Sequence, residues 1–281
     1  ANSFDSGMVK KSSREVSLWN KTPVAPQSFD QPDITGEKMS IGIRQSLERL
    51  KSQKSCPSCN LSNTDLTGLD LHQVNLSGGD LRNVTLSHAG RCNGCILGEY
   101  MVKANLSGVN LRGAALAQVS LVRADLSESD LRGADLRWAN LTGANLASAL
   151  LDKANFAGAI LRGVNFESSS LNEVNFLGAN LRKTDLSGLN LTGLDMSFAD
   201  LTGSNLEKTN LRRSNLSSAY ASRANLSSAN LIGANLGDTD LTGANLTSAD
   251  LRDTNLTGVD LSTTILEGAN LIGANLHDTT L

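Results

Sequence analysis

The sequence has few of the residues that usually build large globular cores and active sites. Only 4% of its 281 residues are aromatic, and it contains 4 prolines and 3 histidines. His72, His88 and His277 are far apart in the chain, and no pattern brings a general acid and a base together. The glycines do not form a phosphate-binding loop motif. We therefore expect no catalytic residues, no small-molecule substrate and no cofactor.

Long hydrophobic runs and a strong charge of one sign are also missing. No apolar run approaches the roughly 18 residues of a membrane-spanning helix, so we expect no membrane span. The formal net charge is −3, and the chain after Pro57 carries 16 basic and 22 acidic residues. A charge so near zero gives no support for nucleic acid as a partner.

A five-residue period is what the sequence does have. Of the 45 positions at intervals of five from Leu61 to Leu281, 37 are Leu. Two residues before each of these positions the residue is Ala in 20 cases, and the residue between is Asn or Asp in 33. Ala134-Asp135-Leu136-Arg137-Trp138 is a typical unit. This period fits neither an α-helix nor a long strand, but it fits a short extended segment followed by a tight turn.

Side-chain directions follow from that geometry. Residues two apart in an extended segment point the same way, so the Ala and Leu positions face inward and Asn or Asp faces outward. The two residues after Leu form the turn and are rich in Ser, Thr and Gly. If each unit turns the chain by about a right angle, four units close a square coil, and coils stack about 4.8 Å apart.

Residues 59–281 resemble the pentapeptide-repeat family, particularly its cyanobacterial and plastid members. The resemblance implies an all-β fold, a right-handed quadrilateral parallel β-helix, here of about 11 coils. It also implies a binding function rather than catalysis, either as a scaffold or regulator of another protein or as a DNA-mimicking inhibitor of DNA gyrase. Gyrase mimicry requires strongly acidic columns, so we favour the scaffold and keep gyrase binding as the alternative. Some members dimerise end to end, and the open C-terminal coil is the expected place for such a homodimer.

Three regions are predicted along the chain. Residues 1–39 are polar and proline-bearing and are expected to form a flexible arm. Residues 40–58 combine an amphipathic helix with a Cys-x-x-Cys lead-in, and this segment is predicted to cap the first coil of the solenoid formed by residues 59–281.

A uniform 20-residue coil sorts the outward side chains onto four walls. Two opposite walls are basic; one carries Arg82, Lys103, Arg123, Arg162, Arg182, Lys183 and Arg223, and the other Arg112, Arg132, Lys153, Arg212, Arg213 and Arg252. A third wall is mildly acidic. The fourth carries Leu97, Trp138, Leu177 and Phe198, which form the candidate partner surface, although ordinary solvated turns would also account for such residues.

Four cysteines form two pairs, Cys56/Cys59 and Cys92/Cys95. Two such pairs can bind zinc, but the repeat phase places the first pair inward and the second outward. Three interpretations stay open: a disulfide within each pair, reduced structural cysteines, and a zinc site formed by all four. The second pair lies at the largest break in the repeat, where Arg91 and Glu99 occupy inward positions and predict a bulge.

The sequence also bears on the cellular location. The repeat generates many Asn-x-Ser/Thr sequons, for example at Asn105 and Asn245, which a eukaryotic secretory route would glycosylate. A bacterium, such as a cyanobacterium, or a plastid is therefore expected. The cysteine pairs and a start at Ala1 rather than Met favour the periplasm or the thylakoid lumen over the cytoplasm.

Overall fold

The computed structural model describes residues 40–66, 69, 71, 74–77, 79–85 and 101–281. The predicted N-terminal arm and the expected bulge between Arg91 and Glu99 lie outside these residues. Within the described part, the helix is α1, Ile41–Gln53, and the β structure consists of isolated parallel bridges. α1 is too short and too polar to cross a bilayer, and these residues contain no other candidate span.

Helix α1 begins and ends with ordinary caps. The Ser40 side-chain oxygen accepts a hydrogen bond from the Ile43 N–H at 3.3 Å, and Lys54 ends the helix in the left-handed conformation with its N–H on the Leu50 carbonyl. Leu50 is buried in the core and Leu47 packs against it, whereas Ile41 in the first turn is exposed. The C-terminal half of the predicted apolar face therefore contacts the solenoid.

The five-residue units form coils that stack through parallel bridges. Asp125, for example, pairs with Asn145 and Asn145 with Asn165, an interval of 20 residues. The Leu126 N–H donates to the Asn145 carbonyl at 2.8 Å, and the Asn145 N–H donates back to Ala124 at 2.9 Å. Four units per coil are thus present as predicted, while the right-handed sense remains what the resemblance implies.

The bridged residues define four walls. Wall 1 runs from Ser55 through Asn75, Asn105 and Asp125 to Ile265, and wall 2 runs from Asn60 through Asp80, Asn110 and Asp130 to Asn270. Wall 3 runs from Asp65 through Thr85, Ala115 and Asp135 to Asn275. Wall 4 runs from Ser120 through Asn140 to Thr280. The Ala and Leu positions between them form one continuous buried core.

The register is not uniform, and this corrects the predicted walls. Asp80 pairs with Asn110 and Thr85 with Ala115, so one coil contains 30 residues instead of 20. Met101 already pairs in the ordinary register, since its N–H donates to the Ser120 carbonyl at 3.1 Å. The ten surplus residues therefore lie between Thr85 and Met101. As a result Arg82 lies on wall 2 with Arg112 and Arg132, and not with Lys103 and Arg123 as a uniform coil predicts.

Three phenylalanines replace leucine in the middle of the core. The Phe156 and Phe176 rings stack with centroids 5.6 Å apart and planes 17° apart, and Phe166 meets Phe176 edge-on at 6.1 Å. All three side chains are buried. The predicted stacking of Phe156 on Phe176, one coil apart, is confirmed.

Candidate protein-binding surface

Five apolar side chains follow the corner between walls 3 and 4. The sequence predicts that Trp138, Leu177 and Phe198 share a surface; Ile160 and Tyr220 complete it, while Leu97 lies outside the described residues. The five lie on five consecutive coils and are between 39% and 55% exposed. We call them the corner stripe. At about 4.8 Å per coil, the stripe is about 19 Å long.

Sequence reasoning missed Ile160 and Tyr220 because they occupy positions counted as ladder positions rather than turn positions. Both bridge normally, Ile160 to Asn180 and Tyr220 to Asp240. The signal was present, however, since each replaces an outward Asn or Asp with a large apolar or aromatic group. The corner stripe therefore combines turn residues of wall 3 with ladder residues of wall 4.

The centre of the stripe contains two glycines with different surroundings. A Cβ on Gly158 would lie 2.3 Å from Cε3 of Trp138, so the indole ring lies against this glycine. A Cβ on Gly178 would meet nothing within 4 Å. Gly178 thus leaves a notch beside Leu177, between the Trp138 ring and Phe198.

Wall 4 also carries a row of cations beside the stripe. The row consists of Arg123, Arg162, Lys183 and Arg223, and none of the four forms an ion pair with any residue that the structure describes. The neighbouring Arg182 does pair, through Nη1, with the Asp200 carboxylate at 3.2 Å. We call these four residues the cation row.

Most arginines on walls 2 and 3 are instead neutralised locally. The guanidinium of Arg132 donates to both carboxylate oxygens of Asp130, at 2.8 and 2.6 Å, and thereby lowers the pKa of that carboxyl group. The same bidentate pair recurs at Asp80–Arg82, Asp135–Arg137 and Asp250–Arg252. The four residues of the cation row therefore differ from these four arginines in having no carboxylate partner among the described residues, as is also true of Arg112, Arg212 and Arg213 on wall 2.

A shallow depression of about 580 Å³ joins the stripe to the cation row. Tyr220 stands at its centre, Arg182 and Arg223 lie on its sides, and Asp200 and Asp240 occupy the coils below and above Tyr220. The depression is open and has no converging acid and base, so it suits contact with a surface better than chemistry on a small molecule.

The first cysteine pair forms a disulfide. Cys56 and Cys59 have their Cα atoms 5.5 Å apart, and both residues are buried where α1 leads into the first coil. Cys92 and Cys95 lie outside the described residues, so their pairing stays a prediction. Among the residues that are described, no group of three or more His, Cys, Asp or Glu is placed to hold a metal ion.

A stack of short units that repeat every five residues and bridge every fourth unit defines a solenoid repeat protein. A family model described as pentapeptide repeats matches residues 58–89 and, in overlapping segments, 104–281. The chain belongs to the pentapeptide-repeat family.

Solved structures of the family are similar to it. HetL, a pentapeptide repeat protein involved in heterocyst differentiation regulation from the cyanobacterium Nostoc sp. strain PCC 7120, is 31% identical over 85% of this chain and 97% of its own, with a TM-score of 0.41. A pentapeptide repeat protein from the Arabidopsis thaliana thylakoid lumen is 30% identical over 38% of this chain and 70% of its own, with a TM-score of 0.30. QnrB1, a plasmid-mediated fluoroquinolone resistance protein, is 17% identical over 75% of this chain and 92% of its own, with a TM-score of 0.37. No curated protein matches.

Proposed function

We propose that this chain is a non-enzymatic, right-handed quadrilateral rod of about eleven coils that binds another protein through the corner stripe. The observation that carries the proposal is the stripe itself: five large apolar side chains, between 39% and 55% exposed, in one line over five consecutive coils. Contiguous exposed apolar surface on a polar protein marks an interaction site. Aromatic residues such as Trp138, Phe198 and Tyr220 commonly contribute most of the binding energy at such sites.

Affinity capture from the native cell tests the proposal. The bait proteins are the unmodified chain, a stripe variant with Trp138→Ser and Phe198→Ser, and a control with Leu150→Ser and Ile272→Ser. The control removes two exposed apolar side chains from wall 2, away from the stripe. We expect the unmodified chain and the control to retain a protein that the stripe variant loses. Retention of the same proteins by all three baits would contradict the proposal.

Gyrase binding by DNA mimicry is the alternative implied by the resemblance. It requires rows of unpaired carboxylates, whereas the ladder carboxylates Asp80, Asp130, Asp135 and Asp250 each bind a neighbouring arginine. We therefore expect the purified rod to leave gyrase supercoiling unchanged. Inhibition of supercoiling would favour the alternative.

An exported location, in the periplasm or thylakoid lumen, forms part of the proposal. The Cys56–Cys59 disulfide supports it, because disulfides persist in oxidising compartments. Trapping free thiols during cell lysis should leave Cys56 and Cys59 unlabelled. An end-to-end homodimer through the last coil remains a separate prediction, which sedimentation of the purified chain would test.

A further inference from the structure

The corner stripe and the cation row lie on the same wall and run in the same direction. Trp138 and Phe198 mark the edge of wall 4 next to wall 3, and Arg123, Lys183 and Arg223 mark its other edge next to wall 1. The cation row extends over five coil spacings, about 24 Å, beside a stripe of about 19 Å. A partner on this wall therefore meets an apolar line and a parallel positive line.

Backbone hydrogen bonding limits the shape of that partner. On wall 4 the Leu161 N–H donates to the Asn180 carbonyl at 2.7 Å and the Asn180 N–H donates to the Ala159 carbonyl at 2.8 Å; the neighbouring coils repeat these bonds. An extended peptide lying along the wall would find no free ladder groups to pair with, so strand addition is unavailable there. An α-helix satisfies its own backbone groups and needs only side-chain contacts.

The charges on wall 4 favour a negatively charged partner. Between Ser120 and Arg223, wall 4 carries the four residues of the cation row in addition to the Arg182–Asp200 pair. Beyond Tyr220 the ladder residues become Asp240 and Asp260, which repel an acidic segment and so bound the site at that end. Complementary charges at the edge of an interface speed association and fix orientation more than they add affinity.

We propose that wall 4 binds an acidic amphipathic α-helix of a partner protein, with the apolar face of the helix on the corner stripe and its acidic flank on the cation row. This inference rests on the proposed function and adds the chemistry of the partner. A stripe of about 19 Å accommodates about 13 helical residues at 1.5 Å each. The notch at Gly178 receives one apolar side chain of that helix, since it is the open space between Trp138 and Phe198.

An anionic membrane would also match an apolar line beside a positive line, because it offers an apolar interior and negative headgroups. The geometry of wall 4 nevertheless favours a helix. The stripe is one side chain wide, and its members are close to half-buried against the rod instead of projecting from it. Insertion into a bilayer requires an apolar face that reaches the acyl boundary. A single line of half-buried side chains is better matched by the apolar face of one helix.

Selection from two peptide libraries on the full chain tests the inference. One library displays a 15-residue helix randomised on one face, and the other displays linear peptides with a central proline. Selected peptides are then titrated against the unmodified chain, Gly178→Gln, Gly188→Gln, Trp138→Ser, and the double variant Lys183→Ser/Arg223→Ser. Gly178 and Gly188 both have positive φ and open space where a Cβ would stand, and Gln118 already occupies this turn position, so the two Gln variants are matched.

We expect helices with apolar residues at intervals of three and four and an acidic flank. Their Kd should rise about tenfold or more with Gly178→Gln, a change of about 1.4 kcal/mol, and stay unchanged with Gly188→Gln. The double variant should weaken binding and reduce its dependence on salt.

Three other results would overturn the inference in distinguishable ways. Proline-bearing linear peptides that depend on Gly178 would reject the helix but leave the proposed function standing. Peptides that bind without any dependence on Gly178 or on Trp138→Ser would remove support from both. Binding of phosphatidylserine vesicles that is lost in the same variants, without selected helices, would replace the protein partner with a membrane.

Discussion

The indole ring of Trp138 lies against Gly158, one coil further along the rod, so closely that a Cβ on Gly158 would come within 2.3 Å of Cε3. Other long turn side chains lean in the same direction; Cγ of Arg123 lies 3.5 Å from a Cβ built on Gly143, and Cγ of Arg223 lies 3.7 Å from one built on Gly243. At Gly158 the glycine therefore provides room for the indole ring as well as a positive φ, whereas a Cβ at Gly143 or Gly243 would make only ordinary van der Waals contact. The position of Trp138 in the corner stripe depends on this room.

Gly158→Ala should destabilise the rod more than Gly163→Ala. Both glycines have φ near +65°, but only Gly158 is covered by a ring, whereas a Cβ on Gly163 meets nothing within 4 Å. We expect the free energy of unfolding to fall by about 1 kcal/mol at either site, because alanine is disfavoured in the left-handed conformation. At Gly158 it should fall by about 1 kcal/mol more, because the new Cβ displaces Trp138 from its rotamer. Urea unfolding measures both costs. Adding Trp138→Ala should abolish the difference, and a difference that persists would show that the ring is not its cause.

Phe176→Ala should be the most damaging of the core truncations, since Phe176 contacts both Phe156 and Phe166. Loss of a buried phenylalanine side chain costs about 3–5 kcal/mol. Phe176→Leu restores the usual residue and should cost less because less volume is lost. Equal destabilisation by the two substitutions in a urea titration would contradict this account of the packing.

Acid should weaken the rod through its bidentate Asp–Arg pairs. The side-chain hydrogen bond from Arg82 lowers the pKa of Asp80, and that from Arg252 lowers the pKa of Asp250. Because these pKa values are lower in the folded state, their stabilisation is present above the unfolded value near 3.9 and is lost as the pH falls through the folded value. We expect the free energy of unfolding to decrease below about pH 4, and the decrease to be smaller in Arg82→Gln/Arg252→Gln. An unchanged pH profile in that variant would exclude these pairs as a cause.

Reduction of the Cys56–Cys59 disulfide should loosen α1 and leave distant coils unaffected. Closing so short a loop contributes about 2 kcal/mol in the chain-entropy model. The experiment uses a Cys92→Ser/Cys95→Ser background, so that the first pair alone responds to dithiothreitol. Hydrogen exchange should accelerate in Ile41–Gln53 and remain constant beyond residue 125. Faster exchange throughout the rod would show that the disulfide supports the whole stack.

The period of five was sufficient to predict the coils, the buried leucines and the stack of Phe156 on Phe176, because each follows from one unit repeated with a regular phase. It could not predict the 30-residue coil between Asp80 and Asn110, because adding two complete units leaves that phase unchanged. The wall assignment of Arg82 failed for this reason. Ile160 and Tyr220 were not predicted to belong to the surface for a different reason. Both occupy ladder positions, and the side chain of a ladder residue can face a partner while its backbone pairs with the next coil.

The longer coil has a consequence for how such rods vary. The stack is continuous on either side of it because Thr85 pairs with Ala115 while Met101 pairs in the ordinary register with Ser120. The ten surplus residues amount to two complete units, so the described coils before and after them share the same four walls. A difference of whole five-residue units at this position therefore leaves the inward and outward phase of the repeat unchanged. Rods of this kind can therefore differ in length two coils from Trp138 without displacing the corner stripe from the cation row.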